Sequence, residues 1–138
     1  MSDEVVVVLP EGTSWSGPRV DAAVAGGATR AASVRAGLAA LSDAVEVVLV
    51  HDAARPLASR AVFDAVLDAV RAGADGAVPV LAVTDTLKRV AGRRVVTTVE
   101  RTGLVAVQTP QAFRAAVLRA AHARGGDATD DAALVEAT

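Results

Sequence analysis

The sequence predicts an α/β fold built on a Rossmann-like, mostly parallel sheet. Its apolar runs are continuous rather than alternating, which is typical of strands buried on both faces. Segments with helical periodicity separate these runs, and the order strand, helix, strand is typical of βαβ units with right-handed crossovers. A chain of 138 residues is long enough for one domain with one core. We therefore expect residues 1–138 to form a single domain.

The first half of the chain alternates strands and helices. Strands are predicted at three β-rich runs, residues 5–9, 45–50 and 77–81. Helices are predicted over 29–41 and 61–72, where apolar residues recur on one face. The second helix is followed by Gly73, a residue type that is common just after a helix end.

The second half departs from this alternation and contains a hairpin. Two short β-rich segments, 86–90 and 94–99, surround a turn at Gly92. A two-stranded hairpin is not stable alone, so we expect a protruding β-arm at about 84–102 that packs on another surface, such as a second subunit. A strand and two helices complete the prediction, at 104–107, 111–122 and 130–136, and Thr129 is expected to cap the last helix.

Composition excludes several classes of protein. There is no cysteine, which excludes disulfides, thiol nucleophiles and Cys-ligated zinc sites. A net charge of −2 and 2% aromatic residues argue against nucleic-acid binding. No apolar run approaches the roughly 20 residues of a membrane span, and the acidic N-terminus lacks the basic region of a signal peptide. We expect a cytoplasmic protein that binds neither nucleic acid nor membranes.

The first motif is a pair of glycines, Gly26 and Gly27, at the start of a predicted helix that contains Ser33. Glycines let the backbone approach a ligand, and a helix N-terminus offers unpaired N–H groups and partial positive charge. A nucleotide base, ribose or phosphate suits such a site. The alternative is a plain glycine turn followed by a helix capped by Thr29.

The second motif, His51-Asp52-Ala53-Ala54-Arg55, follows a predicted central strand. Ligands of open α/β sheets bind at this edge. Asp52 suits Mg²⁺ beside phosphates, and Arg55 suits neutralisation of phosphate charge. The alternative is a solvated loop with an Asp–Arg pair, and His51 is expected to be a packed, hydrogen-bonded residue.

The remaining motifs place hydroxyls and arginines near predicted strand ends, which suits recognition of a phosphorylated polyol. They are Asp85-Thr86 with Lys88, Glu100-Arg101, Gln108-Thr109-Pro110-Gln111 and Thr129-Asp130-Asp131. Turn chemistry or helix capping is the alternative for each. The residues alone therefore leave two classes open, a nucleotide- or phosphate-handling α/β enzyme and an α/β interaction module.

Taken in order, these segments resemble the 2-C-methyl-D-erythritol 4-phosphate cytidylyltransferase family, CTP-using enzymes of isoprenoid biosynthesis. The matching motifs are Gly-Gly-x-x-Arg-x-x-Ser-Val at 26–34, Val-His-Asp-Ala-Ala-Arg-Pro at 50–56, Asp-Thr-x-Lys at 85–88, Gln-Thr-Pro-Gln-x-Phe at 108–113 and Thr-Asp-Asp-Ala at 129–132. The resemblance implies a sheet of the nucleotide-diphospho-sugar transferase type. It also implies cytidylyl transfer from CTP to methylerythritol phosphate, which gives CDP-methylerythritol and pyrophosphate.

The resemblance further implies roles for individual residues. Binding of CTP is implied for Gly26, Gly27, Ser33, Asp52, Ala53 and Arg55. Binding of methylerythritol phosphate is implied for Thr86, Arg101, Thr109 and Thr129. Asp52 is the implied Mg²⁺-linked acid, and Asp52 and Arg101 are the implied catalytic pair. The β-arm of the family exchanges between the two subunits of a homodimer and carries Arg101 to the neighbouring site.

The family pattern also extends beyond this sequence. Its members begin with a strand and a glycine-rich loop that carries Arg and Lys, and they end with a strand and helix that supply another Lys. The 138 residues contain neither segment, and Lys88 is their single lysine. We therefore expect a truncated nucleotidyltransferase domain. One alternative is a shortened, non-catalytic relative that acts as a nucleotide-binding or dimerisation module, and a weaker one is another sugar-nucleotide transferase of the same fold.

Overall fold

A computed structural model describes residues 4–137, in which strands and helices alternate over residues 22–77 and six consecutive strands follow over 76–114. The strands are β1 (Val6–Leu9), β2 (Ala22–Ala25), β3 (Val47–Val50), β4 (Gly76–Ala77), β5 (Val80–Ala82), β6 (Leu87–Ala91), β7 (Arg94–Val99), β8 (Val105–Val107) and β9 (Gln111–Arg114). The helices are α1 (Arg30–Ala40), α2 (Arg60–Arg71), α3 (Ala115–Ala123) and α4 (Asp131–Glu136).

A three-stranded sheet of order β3-β9-β4 lies at the centre of the packing. Strand β9 is antiparallel to both neighbours, so β3 and β4 run parallel to each other, as expected for a β3–α2–β4 unit. Strands β1 and β2 form a separate parallel pair that packs against α1. The predicted parallel direction therefore holds for β1 with β2 and for β3 relative to β4, and β9 is the antiparallel insertion.

The three-stranded sheet is buried on both faces, which explains its continuous apolar runs. One cluster of buried residues joins β3 and β9 to α1 and α3: Leu38, Val48, Phe113, Ala115 and Leu118. The other joins β9 to α2: Val66, Val70 and Ala112. Because successive residues of a strand point to opposite faces, the neighbours Ala112 and Phe113 contribute to different clusters.

Helices α1 and α2 begin and end close to the predicted residues. The Thr29 hydroxyl accepts a hydrogen bond from the Ala32 N–H at 3.2 Å and caps α1. Gly73, with φ of +119°, follows the C-cap of α2 in a conformation that favours glycine. Among residues 4–137, no helix has the length and apolar character needed to cross a membrane.

The helix predicted over 111–122 is wrong in its first turn. Gln111–Arg114 is strand β9, and α3 begins at Ala115. Phe113, Val117 and Leu118 fall at helical spacing, so the periodicity runs through the strand–helix junction. Local spacing carries no sign that Phe113 pairs with β3 on one side and β4 on the other.

Three further features of the structure differ from the prediction: an additional strand, a divided strand and a different capping residue. Strand β2 has no counterpart among the predicted strands, because its Ala-Ala-Val-Ala run has little β propensity. The strand predicted over 77–81 divides into β4 and β5 around Pro79, which has no N–H for a sheet hydrogen bond. Helix α4 is capped by the Asp130 carboxylate, which accepts from the Ala133 N–H at 3.0 Å, and not by Thr129.

The predicted hairpin is confirmed. Strand β6 pairs antiparallel with β7, and Gly92, with φ of +57°, lies in the turn between them. A bulge interrupts the pairing between Arg89 and Val90. The hairpin exposes apolar side chains, among them Val90, Val95 and Val96. At its base, β5 pairs antiparallel with β8.

Replacing Leu118 by alanine should lower the free energy of unfolding by about 2–5 kcal/mol, because the change leaves a cavity beneath α3. The matched control is Leu57→Ala, since Leu57 is 94% exposed and Leu118 is 0% exposed. We expect the control to change stability by less than about 0.5 kcal/mol in urea unfolding. Equal losses for the two variants would contradict the core position of Leu118.

Candidate active site

An open cleft of about 320 Å³ lies where β3 ends and where α4 begins. Residues from four segments of the chain line it: Arg30, Asp52, Arg55, Val107, Gln108, Thr109, Gln111, Thr129 and Asp130. The pairing of β3 with β9 brings the loop after β3 next to the residues that precede β9. Four of the predicted site residues, Asp52, Arg55, Thr109 and Thr129, therefore meet in one place.

Two arginines flank the half-exposed carboxylate of Asp52. Arg30 Nη2 lies 3.9 Å from Oδ1 of Asp52, and Arg55 Nε lies 3.8 Å from its Oδ2. Arg55 is also held by a hydrogen bond from its Nη1 to Oε1 of Gln108. The two guanidinium groups and the carboxylate form an arrangement that can bind phosphate oxygens and a divalent cation together.

The hydroxyl of Thr109 holds the loop that carries Asp52. It accepts from the Asp52 backbone N–H at 3.2 Å and lies 3.2 Å from Nδ1 of His51. His51 Nε2 lies 3.1 Å from the Arg55 carbonyl. These contacts fit a tautomer in which Thr109 donates to Nδ1 and Nε2 donates to Arg55. His51 also contacts Phe63 with ring centroids 5.0 Å apart, so it is hydrogen-bonded as the sequence predicts, but it stays exposed rather than buried.

The glycine pair forms a tight turn before α1 and does not line the cleft. Ser33 Oγ accepts from the Gly27 N–H at 3.2 Å and donates to the Thr29 carbonyl at 3.0 Å. A Cβ at Gly26 would lie 2.7 Å from Ser33 Oγ, and a Cβ at Gly27 would lie 2.5 Å from the Cβ of Ala32. Close packing of the turn therefore requires both glycines.

Four other predicted site residues also lie outside the cleft lining: Ser33, Ala53, Thr86 and Arg101. The Arg101 guanidinium donates a hydrogen bond to the Thr84 carbonyl at the base of the arm. Next to it, hydrogen bonds from the backbone N–H and the hydroxyl of Thr102 lower the pKa of Glu100. These hydrogen bonds order residues 100–102, where the arm leaves the sheet.

Beside the cleft lies a buried polar group whose role the sequence does not reveal. Asp131 Oδ2 lies 2.8 Å from Nη2 of Arg30, and its Oδ1 lies 2.9 Å from Nε2 of His122. The Thr-Asp-Asp motif contains Asp131, and the Gly-Gly-x-x-Arg motif contains Arg30, but neither residue is among the predicted site residues. No local sequence pattern predicts a contact between Arg30 and Asp131, because they lie about a hundred residues apart in the chain.

The Asp52 carboxylate in the cleft suits a metal ion that the protein and the phosphates of a ligand bind together. Within residues 4–137, no group of three or more His, Asp or Glu side chains is arranged to hold a metal ion. Mg²⁺ in phosphate sites uses one or two carboxylates together with phosphate oxygens and water. The half-exposed carboxylate of Asp52 fits that requirement.

A sheet covered by helices, with a charged cleft at the end of β3 and hydroxyls on its wall, is the architecture of an α/β protein of the nucleotide-diphospho-sugar transferase type. The family model of 2-C-methyl-D-erythritol 4-phosphate cytidylyltransferase, IspD, matches residues 3–138. The chain belongs to this family, as the motifs predict.

Individual relatives agree with this assignment. The chain is 50% identical over 140 residues to the 2-C-methyl-D-erythritol 4-phosphate cytidylyltransferase of Rhodococcus jostii, covering 97% of this chain and 62% of that protein. It is 58% identical over 120 residues to the bifunctional enzyme IspD/IspF of Clavibacter michiganensis, covering 85% and 29%. The crystal structure of the cytidylyltransferase from Thermus thermophilus superposes with a TM-score of 0.86 at 45% identity, covering 98% and 67%.

The chain thus spans less than two thirds of the length of these two sequence relatives. The structural match over 98% of the chain confirms the predicted fold class.

Replacing Thr109 by valine should loosen the loop that carries Asp52, because valine keeps the volume but removes the hydroxyl that binds the Asp52 N–H and His51. Hydrogen exchange of the Asp52 amide should become faster, and unfolding free energy should fall by about 1–2 kcal/mol. Thr97→Val, on the exposed β7, is the control, and its exchange pattern should match the unaltered chain near Asp52. An unchanged Asp52 amide in Thr109→Val would contradict this role.

Proposed function

We propose that this chain carries out cytidylyl transfer from CTP to 2-C-methyl-D-erythritol 4-phosphate, in isoprenoid precursor biosynthesis. The observation that carries the proposal is the carboxylate of Asp52 between Arg30 and Arg55, in a cleft that Thr109 and Thr129 also line. Family membership and the names of the relatives support the substrate pair. They favour a transferase over the non-catalytic alternative.

The proposed CTP-binding residues are Gly26, Gly27, Ser33, Asp52, Ala53 and Arg55. The turn that contains the two glycines leads into the N-terminus of α1, where partial positive charge favours an anionic ligand. Ala53 has a small, exposed side chain that leaves room beside Asp52 for a nucleotide. Arg55 reaches the cleft from the same loop, held by Gln108.

The proposed metal is Mg²⁺, with Asp52 as its protein ligand. When bound, Mg²⁺ would neutralise phosphate charge and orient the CTP phosphates. The Asp52 carboxylate is suited to this because one oxygen faces each arginine at 3.8–3.9 Å, beyond hydrogen-bond distance. Neither arginine is therefore tightly bonded to it, and both oxygens can bind a cation.

In the proposed reaction, the phosphate of methylerythritol phosphate attacks the α-phosphorus of CTP, and pyrophosphate leaves. Such chemistry depends on positioning and charge neutralisation rather than on a covalent intermediate with the protein. Thr129 offers a hydroxyl to the methylerythritol phosphate, the remaining lone pair of the Thr109 hydroxyl can accept from a hydroxyl of the same substrate, and Arg55 neutralises phosphate charge. Asp52 and Arg101 are the proposed catalytic pair.

We further propose a homodimer in which the arm at about 84–102 brings Thr86 and Arg101 to the partner's cleft. Both residues lie outside the cleft lining of their own chain, and the arm exposes Val90, Val95 and Val96. Apolar side chains on an isolated hairpin are better accommodated in an interface than in water. We also propose that residues 1–138 form a single domain and that the protein is cytoplasmic.

Replacing Asp52 by asparagine should reduce pyrophosphate release from CTP, methylerythritol phosphate and Mg²⁺ by about a hundredfold or more, because the metal loses its charged ligand. Asp64→Asn, an exposed carboxylate paired with Arg60 on α2, is the matched control and should keep the original rate. Undiminished release by Asp52→Asn would contradict the assigned role. No release by the unaltered chain would contradict transferase activity of these 138 residues and favour the nucleotide-binding alternative.

The exchanged arm predicts complementation between two inactive variants. Asp52→Asn and Arg101→Met should each release little pyrophosphate alone, whereas a mixture refolded together should regain activity. In a mixed dimer one cleft combines an intact Asp52 with the partner's intact Arg101. A mixture that stays inactive while sedimentation shows mixed dimers would argue that Arg101 acts in its own subunit, and a monomer would contradict the dimer.

A further inference from the structure

We propose that Asp131 is a positioning residue which, with His122, fixes the guanidinium of Arg30 at the wall of the cleft, where Arg30 binds anionic phosphate oxygens. The inference rests on the proposed function, because it adds an anion-binding residue and its support to the same site. It starts from the buried contacts among these three side chains.

Asp131 is an ionisable side chain with 0% exposure, in the first turn of α4. Burying a carboxylate away from water is costly unless charged and hydrogen-bonding partners compensate. Its two oxygens have different partners: His122 Nε2 is hydrogen-bonded to Oδ1 at 2.9 Å, whereas Arg30 Nη2 forms an ion pair with Oδ2 at 2.8 Å without the geometry of a hydrogen bond. Arg30 and His122 therefore both compensate the buried charge of Asp131. Asp131 in turn fixes the positions of these two side chains.

His122 is the hydrogen-bond donor to Asp131 in this buried group. It lies near the end of α3, is 4% exposed, and its Nδ1 is buried without a hydrogen-bond partner. An unpaired buried Nδ1 fits the tautomer with its proton on Nε2, which donates to Asp131. Since Oδ1 is occupied by His122, Oδ2 is the oxygen available to Arg30.

Arg30 connects the buried group to the cleft. It is the first residue of α1, lines the cleft and keeps 30% of its side chain exposed. In the described part of the chain, Arg30 Nη2 forms an ion pair with Asp131, and no nitrogen of Arg30 donates a hydrogen bond to protein. A guanidinium carries five N–H donors in a fixed plane, so an ion pair at Nη2 restricts the group and leaves its donors available to a phosphate group.

Asp131 also keeps Arg30 away from Asp52. Arg30 Nη2 is 2.8 Å from Asp131 but 3.9 Å from Asp52, so the shorter ion pair is the buried one. Without the charge of Asp131, Asp52 would be the nearest carboxylate for Arg30. Closer pairing of Arg30 with Asp52 would cover the carboxylate proposed to bind the metal.

The first test measures the order of the Arg30 side chain by NMR. Nitrogen-15 spectra should give separate guanidinium signals for a fixed Arg30, identified by their loss in Arg30→Lys. Asp131→Asn, which keeps the shape but removes the charge, should merge these signals. Asp68→Asn, an exposed partner of Arg71 on α2, is the matched control and should leave them unchanged. Separate signals in Asp131→Asn would overturn the proposal.

The second test measures binding of ligands with and without phosphate by calorimetry. Asp131→Asn and Arg30→Lys should bind CTP with Mg²⁺ about ten- to a hundredfold more weakly, while cytidine binding changes less than about twofold. Methylerythritol phosphate and methylerythritol form the second pair, and the affected pair identifies which phosphate Arg30 contacts. Equal weakening of the phosphate-free ligands would indicate a general structural defect and overturn the anion-binding role.

A second position keeps the test decisive if Asp131→Asn does not fold. His122→Gln retains a side-chain N–H for Asp131 and should preserve the Arg30 signals, whereas His122→Leu should lose them. Preserved signals in His122→Leu would contradict the role of His122. If the unaltered chain binds neither CTP nor methylerythritol phosphate, the proposed function fails, while the Arg30 signals still decide whether Asp131 positions Arg30.

Discussion

The insertion of β9 between β3 and β4 is the constraint on which the rest of the structure depends. Its antiparallel direction places the start of β9 beside the end of β3, so Thr109 meets the loop that carries Asp52. The strand is buried on both faces, and Ala112 and Phe113 contribute to separate clusters of the core. Displacing β9 would therefore disturb both cores and take apart the wall of the cleft.

Polar burial is concentrated next to this strand. Within residues 4–137 the buried polar residues are Thr109 and Gln111, which line the cleft, Asp131, which is ion-paired with Arg30, and His122, which is hydrogen-bonded to Asp131. Gln111 donates from Nε2 to Asp130 Oδ2 at 3.3 Å and so ties β9 to the start of α4. Buried polar groups that depend on specific partners restrict the arrangement of neighbouring elements. Here they relate α1, α3 and α4 to the end of the sheet.

Local sequence patterns predict the structural features that depend on short-range interactions, such as helix ends and tight turns. The Thr29 cap, the end of α2 before Gly73 and the hairpin at Gly92 follow from short-range preferences, and the structure confirms them. Motif resemblance also brings Asp52 together with Thr109, which are 57 positions apart. Strand β9 and the contact of Arg30 with Asp131 depend on pairing between distant segments, and no local period encodes such pairing.

The charges around the cleft limit what it can bind unaided. Arg30 and Arg55 face three carboxylates, those of Asp52, Asp130 and Asp131, so the immediate group has a formal charge of about −1. A triphosphate adds several negative charges, and like charges at these distances repel strongly in a partly desolvated site. Binding therefore requires added positive charge. A divalent cation at Asp52 and an arginine delivered by a partner's arm would both supply it, which links the proposed metal and the proposed dimer to one electrostatic need.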